Sequence, residues 1–495
     1  MTPAEVRWWF AASMPVTVSE PVAVPDRVRD EPRGDIFLTP AEVAAVTAGT
    51  VLRAGTRPMR GAAVDSRRIA AGQLFVALPG ERTDGHAFLS DAVAAGATGA
   101  LVTRSLAGPS LDALGDVTVV RVADGLAAVE ALATAWRARF DPLVVGVTGS
   151  VAKSSTKEAI ATLLATAHTV LKSEGNENNE IGLPLTLLRL GPEHDTAVLE
   201  MGMYVGGDIA RLSRVAQPSI GVVTAVRPIH LSRAGSIEAI EAGKAELVEA
   251  LPADGIAVLN ADDERVRRMA SRTRARSVMY GFAADADVRA EAITSLGLDG
   301  MAFEMVTGRE RRAVRLPRIG RHAVHNALAA AAVALETGSR PADVAAGLSD
   351  PWSLPHRSLV VRLDGVTVID DTYNAGPDSM LAALDALAEL PGRHLAVLGH
   401  MAELGDLEAE GHAEVGRRAG SVLEVLVAVG DGTAPLVAGA RSAGMPTERI
   451  VRVPDAAAAV AALSELVRPG DVVLVKASRS EELERVVDGL AERMR

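Results

Sequence analysis

The stretch VVGVTGSVAKSSTKEAI, residues 144–160, decides how the rest of the chain is interpreted. A run of apolar residues leads into a glycine-containing turn, and a lysine and two serines follow. This order predicts a buried strand, a phosphate-binding loop, and a helix whose first amide groups attract anions. Lys153 would place a positive charge on the outer phosphates, and the Ser154 hydroxyl has the position of a Mg²⁺ ligand.

The loop departs from the common pattern G-x-x-x-x-G-K-[ST] at two positions, because Val147 and Ala152 stand where that pattern has glycine. A methyl group at 152 would crowd a backbone that either approaches phosphate closely or adopts a positive φ. A glycine-rich turn that binds no nucleotide is the alternative at this point. The residues that we predict to bind ATP here are Gly146, Thr148, Gly149, Ser150, Val151, Ala152, Lys153, Ser154 and Ser155.

Composition narrows the class of protein. The chain has 495 residues, of which 48% are hydrophobic and only 3% aromatic, so several aliphatic cores of layered α/β type are expected. The net charge of −12 argues against a nucleic-acid binder. No cysteine is present, which excludes disulfides and thiolate chemistry. No apolar run approaches the roughly 20 residues of a membrane span, and the start lacks a signal-peptide pattern. We therefore expect a cytoplasmic protein.

Changes in pattern along the chain predict four segments. Residues 1–37 are rich in Pro, Glu, Asp and Arg and are expected to be a disordered leader. Alternating strand and helix patterns then define an N-terminal domain at 38–140 and a central domain at 141–337, whose continuous apolar strands indicate a parallel sheet. The region 338–495 repeats this style and is expected to be Rossmann-like.

Polar residues also end other predicted strands of the central domain. Glu200 is the last residue of TAVLE, and His230 follows GVVTAVRPI. Because parallel strands end at one edge of a sheet, these side chains and Ser154 could converge on a divalent cation. For any one of them alone, a structural role is the simpler interpretation.

Motifs from residue 61 onward resemble the Mur ligases, the ATP-dependent amide-forming enzymes of peptidoglycan synthesis. Besides the loop, the resemblance is carried by AVDSRRIAAGQLFVALPG, GNENNEIGLPLTLL, EAGKAELVEAL, GRHAVHNALAA, IDDTYNAGPDSM and VLVKASRS. It implies a three-domain α/β fold with a P-loop-type central parallel sheet, in which the N-terminal domain binds a UDP-sugar. It also implies a monomer that uses ATP and Mg²⁺ to add D-alanyl-D-alanine to UDP-N-acetylmuramoyl-tripeptide through an acyl phosphate.

The resemblance also assigns roles to single residues. It makes Lys153, Lys244 and His230 catalytic, with Lys244 carbamylated, and makes Ser154, Glu200 and His230 the metal ligands. Asn326, Arg357 and Asp371 join the ATP-binding set. The substrate-binding set that it implies is Asp65, Ser66, Arg67, Asn178, Asn179, Tyr373 and Asn374.

Several residues depart from the family pattern near these motifs, among them Ala152, Ala225, Arg227 and His400. They leave open a second hypothesis, a non-catalytic or ATP-impaired paralogue that still binds the UDP-sugar peptide. The charged residues of the motifs are retained, however, and charge stabilisation carries this type of catalysis. We therefore expect an active ligase.

Overall fold

The computed structural model describes residues 37–80, 83–228, 231–350, 352 and 354–494. The predicted leader, 1–37, falls outside this set except for its last residue. Among the described helices, none is both long and apolar enough to cross a membrane. Three sheets follow one another along the chain, and helices cover them.

The N-terminal unit is built on a five-stranded sheet with the order β1-β5-β4-β3-β2, in which β1 is antiparallel to β5 and the other pairs are parallel. Its strands β1–β5 are Thr50–Arg53, Ala62–Ala63, Leu74–Val76, Gly99–Val102 and Thr118–Arg121. Its helices α1–α4 are Pro40–Val46, Leu89–Ala94, Gly108–Asp112 and Gly125–Arg137.

The central unit contains a nine-stranded sheet with the order β14-β13-β12-β11-β10-β9-β6-β8-β7. Its strands β6–β14 are Leu143–Thr148, Val170–Lys172, Thr196–Glu200, Ile220–Val223, Ile256–Asn260, Arg276–Gly281, Val288–Ser295, Met301–Thr307 and Glu310–Leu316. Its helices α5–α12 are Lys153–Leu164, Gly182–Leu187, Asp208–Ala216, Leu231–Ala234, Ile237–Glu249, Glu264–Arg268, Arg321–Glu336 and Pro341–Gly347.

The predicted parallel sheet is correct for the seven strands β6–β12, but β13 is antiparallel to β12, and β14 is antiparallel to β13. Only Gly308 and Arg309 separate β13 from β14, and a connection this short can join only antiparallel strands. The core of the central unit includes Val344, Leu348 and Trp352, so its packing continues beyond the boundary predicted at residue 337.

The C-terminal unit has a six-stranded sheet with the order β15-β16-β20-β17-β18-β19, parallel except for β15 at one edge. Its strands β15–β20 are Leu359–Leu363, Val366–Asp370, Arg393–Leu398, Val425–Val429, Ile450–Val453 and Asp471–Lys476. Its helices α13–α17 are Pro377–Ala388, Glu408–Val422, Ala434–Ser442, Ala456–Leu466 and Glu484–Arg493.

Helix α11 is an alanine-rich helix that packs against α5, the helix after the phosphate loop. Residues 327–334 are all fully buried, and six of the eight are alanine. A helix buried on all sides in this way lies between layers. Small side chains let α11 approach α5 closely, so the start of α5 rests on a rigid support.

Candidate active site

The phosphate loop connects the buried strand β6 to the first residue of α5, Lys153. Lys153 Nζ donates a hydrogen bond to the Gly149 carbonyl at 2.8 Å and reaches the Ser150 carbonyl at 3.4 Å. Thr148 Oγ1 donates to the Met201 carbonyl at 2.8 Å, which ties the end of β6 to the residue after β8. The loop is therefore held on both sides.

Gly149 and Ala152 both have positive φ. At Gly149, where φ is +152°, a Cβ atom would overlap Thr224 Oγ1, so glycine is required there. Ala152 has φ of +67° and ψ of −1°, the left-handed conformation that costs a residue with a Cβ about 1 kcal/mol. The loop therefore holds Ala152 in a strained backbone conformation.

We predict that Ala152→Gly raises the free energy of unfolding by about 1 kcal/mol, because it relieves the left-handed strain. Ala161→Gly, within the same helix at an ordinary helical position, should lower it by about the same amount. Urea unfolding of the two variants measures both effects. If both variants are destabilised, residue 152 is not strained.

The residues after β9 line the other side of the loop. Thr224 Oγ1 donates to the Val151 carbonyl at 2.6 Å, and Ser150 N donates to the Ala225 carbonyl at 2.7 Å. Ser150 Oγ accepts from Arg227 N at 2.9 Å and donates to the Arg227 carbonyl at 3.0 Å. Two of the family departures, Ala225 and Arg227, thus bond to the loop through their main chains.

Glu200 ends β8 and is 2% exposed. Its Oε1 accepts a hydrogen bond from Asn178 Nδ2 at 2.8 Å, whereas its Oε2 is buried and has no partner among the described residues. An unpartnered buried carboxylate oxygen is costly unless something outside the chain binds it. A divalent cation would suit this oxygen, and the sequence-based prediction assigns Ser154 Oγ as a second ligand.

The predicted third metal ligand, His230, lies outside the described residues. Within the part of the chain that is described, no cluster of three or more His, Asp or Glu side chains could hold a metal ion by itself. This is compatible with Mg²⁺, which takes few protein ligands and completes its coordination with phosphate and water.

Lys244, on α9, is 3% exposed and lines the same cavity as Lys153. Burial lowers the pKa of Lys244 well below its usual range, and the charge of Lys153 lowers it further. Burial also lowers the pKa of Lys153, although the carboxylate of Glu200 opposes that shift. The cavity, of about 90 Å³, is lined by Gly149, Ser150, Lys153, Asn178, Asn179, Glu180, Gly202, Met203, Tyr204, Asp208, Arg211, Leu212, Ala234, Ile240 and Lys244.

The C-terminal unit reaches the start of α5, next to the phosphate loop, through Arg357. Its Nη2 donates to Ser154 Oγ at 3.1 Å, and its guanidinium lies 4.0 Å from the centre of the Tyr373 ring. Asp371, behind it, accepts from Ser358 N at 3.0 Å and from Lys476 Nζ at 2.6 Å. Both Asp371 oxygens are thus occupied within the C-terminal unit, and Lys476 also donates to the Asn374 carbonyl.

Sequence reasoning missed a pair beside Arg357, formed by the half-buried His356 and the buried Asp370. His356 Nδ1 lies 2.8 Å from Asp370 Oδ2, and Thr372 donates to the other oxygen of Asp370 from both its amide and its hydroxyl. His356 has φ of +61°, so the turn before Arg357 is held in an unusual conformation. The signal that could have found this pair is its place in the sequence. His356 precedes the predicted Arg357 in the motif PHR, and Asp370 precedes the predicted Asp371 in the motif IDDTYN.

The other predicted site residues lie farther from the phosphate loop or make structural contacts. Asn326 Oδ1 accepts a hydrogen bond from Thr156 Oγ1 at 3.3 Å, where α11 meets α5. Asn179 Oδ1 accepts a hydrogen bond from Gly182 N, the first amide of α6. Gly146 is inside β6, against Leu247 and Met201. Ser155 is in the first turn of α5, half-buried.

The predicted sugar-binding turn is in the N-terminal unit. Asp65 caps a short 3₁₀ helix that starts at Ser66, and the Arg67 guanidinium makes two bonds to it at 2.9 and 2.7 Å. The hydrogen bond from the Arg67 side chain lowers the pKa of Asp65 to about 2. None of these three residues lines the cavity at Lys153.

Comparison with known proteins identifies the family. Three family models match the chain: "Mur ligase family, catalytic domain" at 59–137, "Mur ligase middle domain" at 147–334, and "Mur ligase, glutamate ligase domain" at 356–479. A UDP-N-acetylmuramoyl-tripeptide–D-alanyl-D-alanine ligase of Mycobacterium tuberculosis is 41% identical, over 92% of this chain and 98% of its own.

Solved structures of the same family are also similar to this chain. The crystal structure of MurF from Acinetobacter baumannii superposes with a TM-score of 0.83 at 28% identity, covering 92% of this chain and 100% of that one. MurF ligase from Thermotoga maritima, in complex with ADP, gives 0.77 at 29% identity and covers 88% and 98%. The chain belongs to the Mur ligase family. The family resemblance and the α/β fold class inferred from the motifs are confirmed.

Proposed function

We propose that this protein is the ATP-dependent ligase that adds D-alanyl-D-alanine to UDP-N-acetylmuramoyl-tripeptide during peptidoglycan precursor synthesis. The observation that carries the proposal is the charged set around the phosphate loop: Lys153 lines the cavity and interacts electrostatically with Glu200 and Arg357, and Arg357 donates to Ser154 from another unit. The substrates in this proposal are those in the names of the relatives.

The proposed chemistry has two steps. A carboxylate oxygen of the tripeptide attacks the γ-phosphorus of ATP and ADP leaves, which forms an acyl phosphate. The amino group of D-alanyl-D-alanine then attacks the acyl carbon, phosphate leaves, and the nitrogen loses a proton. Phosphoryl transfer depends on positioning and charge neutralisation, which the Lys153 ammonium and the Arg357 guanidinium provide.

Mg²⁺ would be held by Ser154 and Glu200, and by His230 as the sequence motif implies. When bound, it would neutralise charge on the phosphates. The free Oε2 of Glu200 is the feature of this chain that favours it. Asn178 fixes the other oxygen and so orients the carboxylate.

Lys244 has the properties needed for carbamylation. Only a neutral amine attacks CO₂, and the lowered pKa of Lys244 increases the neutral fraction near pH 7. Lys244 lines the cavity, and no described residue makes a hydrogen bond to its Nζ, so a carbamate would replace an unfavourable buried cation with an anion beside Lys153.

We expect protein equilibrated with ¹³C-bicarbonate to show one carbamate resonance by ¹³C NMR. Lys244→Met should remove it. Lys172→Met should leave it, since Lys172 lies on β7 and pairs with Glu158. A resonance that persists in Lys244→Met would contradict the assignment.

ATP and a UDP-linked precursor as substrates imply a reaction in the cytoplasm, and we propose that the protein is a monomer.

The ligase function is tested by phosphate release from the purified protein with ATP, Mg²⁺, UDP-N-acetylmuramoyl-tripeptide and D-alanyl-D-alanine. Release that needs both peptide substrates supports the ligase. Tight binding of the UDP-sugar peptide without Mg-ATP binding would instead favour the non-catalytic paralogue, for which the strained Ala152 is the motivating observation.

A further inference from the structure

The guanidinium of Arg227 lies between carboxylates of two different units. Its Nη1 is 2.6 Å from Asp263 Oδ2 in the central unit, and its Nε is 3.3 Å from Asp378 Oδ1 in the C-terminal unit. Asp263 is almost fully buried and caps α10, whereas Asp378 is half-exposed in the first turn of α13. One side chain thus bridges the two units.

The main chain of Arg227 belongs to the phosphate-loop surroundings, because its N–H and carbonyl both bond the Ser150 hydroxyl. The adjacent Val226 N donates to Asp263 at 2.9 Å, so the backbone here is fixed. The guanidinium therefore projects toward α13 from a rigid position beside the loop.

On the other unit, Asp378 is close in sequence to two residues that contact Arg357 and Lys476. Tyr373, under the Arg357 guanidinium, and Asn374, whose carbonyl binds Lys476, precede it by five and four residues. A contact at Asp378 thus constrains the start of α13 and, through it, the segment that supports Arg357.

We propose that Arg227 is a positioning residue, which holds the C-terminal unit docked on the central unit by bridging Asp263 and Asp378. It touches no reacting atom. Its effect on docking does not depend on the proposed function, whereas its effect on kinetics rests on that function. Exposed ion pairs are weak, so we expect a change of about three- to fivefold in the ratio of docked to undocked protein.

The chain has no cysteine, which allows site-specific labelling. Ser271→Cys in the central unit and Ser442→Cys in the C-terminal unit are both exposed positions for a fluorophore pair. Single-molecule energy transfer on this full-length protein, without nucleotide, measures the docked fraction. The variants Arg227→Met and Asp378→Asn are then compared in the same background, alone and together.

Each variant should lower the docked-to-undocked ratio about three- to fivefold, and the double variant should lower it no further, because both remove the same contact. Concentrated salt should lower the ratio of the unsubstituted protein and leave the variants nearly unchanged. The KM values for ATP and the peptide substrates should rise by at most the same factor, with kcat within twofold, since bound substrates restore docking.

Arg340→Met and Asp343→Asn are the matched control, because this bonded pair lies within one helix end and joins no units. Arg227→Met should fold, since Asp263 keeps its bonds from Val226 N, Arg265 N and Val266 N. Asp378→Asn, at a half-exposed position, tests the proposal independently. Unchanged docking in either variant, additive effects in the double variant, or an equal effect in the control pair would overturn the proposal. Altered docking without any turnover would count against the ligase function alone.

Discussion

Lys153→Met is expected to lower kcat for phosphate release by about a thousandfold or more. The ammonium is the positive charge at the start of α5, and it compensates charge as the γ-phosphoryl group transfers. Methionine is unbranched and has no charge, so it removes the ammonium together with its hydrogen bonds to the Gly149 and Ser150 carbonyls. Phosphate release at saturating substrates measures the effect.

The same substitution should not destabilise the protein. Burial disfavours the charged form of Lys153, as its lowered pKa shows, so removal of the charge should leave the thermal midpoint equal or higher. Lys172→Met serves as the control with normal turnover. A Lys153→Met protein that keeps more than a tenth of the original kcat would refute the role assigned to this lysine.

Glu200→Gln should have the second largest effect, a loss of roughly a thousandfold in kcat and a need for much higher Mg²⁺ concentrations. Glutamine can still accept the Asn178 hydrogen bond, but it loses the free anionic oxygen that the cation requires. Stability should rise, because a buried anionic oxygen without a partner is removed. Turnover as a function of Mg²⁺ and urea unfolding are the two measurements.

Asp471→Asn is the matched control for Glu200, since it replaces another buried carboxylate far from the site. Both oxygens of Asp471 are bonded to Arg393, at 3.0 and 2.7 Å. Asp471→Asn should therefore lower the free energy of unfolding and leave kcat unchanged. Glu200→Gln should do the opposite, with a lower kcat and a higher free energy of unfolding. If Glu200→Gln gave the Asp471 pattern, Glu200 would be a structural residue and the metal assignment would fail.

The sequence predicted the α/β units and the groups at the strand ends because both follow from local patterns. Continuous apolar runs predict parallel strands, and the polar residue that ends such a run lies at one edge of the sheet, as Glu200 at the end of β8 shows. The antiparallel β13 and β14 were missed because the central region was interpreted as one repeating style.

Contacts between distant segments could not be predicted in this way. Asn178 was assigned to the substrate, but the structure places it against Glu200, a contact that depends on how the loop after β7 folds back. The bridge from Arg227 to Asp378 depends on how two units dock, and neither residue carries a local signal for it. The roles of the individual site residues remain predictions.

The contact between α11 and α5 has a consequence for how this protein can vary. Where two helices meet through methyl groups, a larger side chain cannot be absorbed by a change of rotamer and must push one helix away. Displacement of α5 would carry Lys153 with it, so a larger side chain in the interior of α11 would act on the reaction from a distance. The tolerance of the catalytic centre to mutation is thus set partly by residues that never face a substrate.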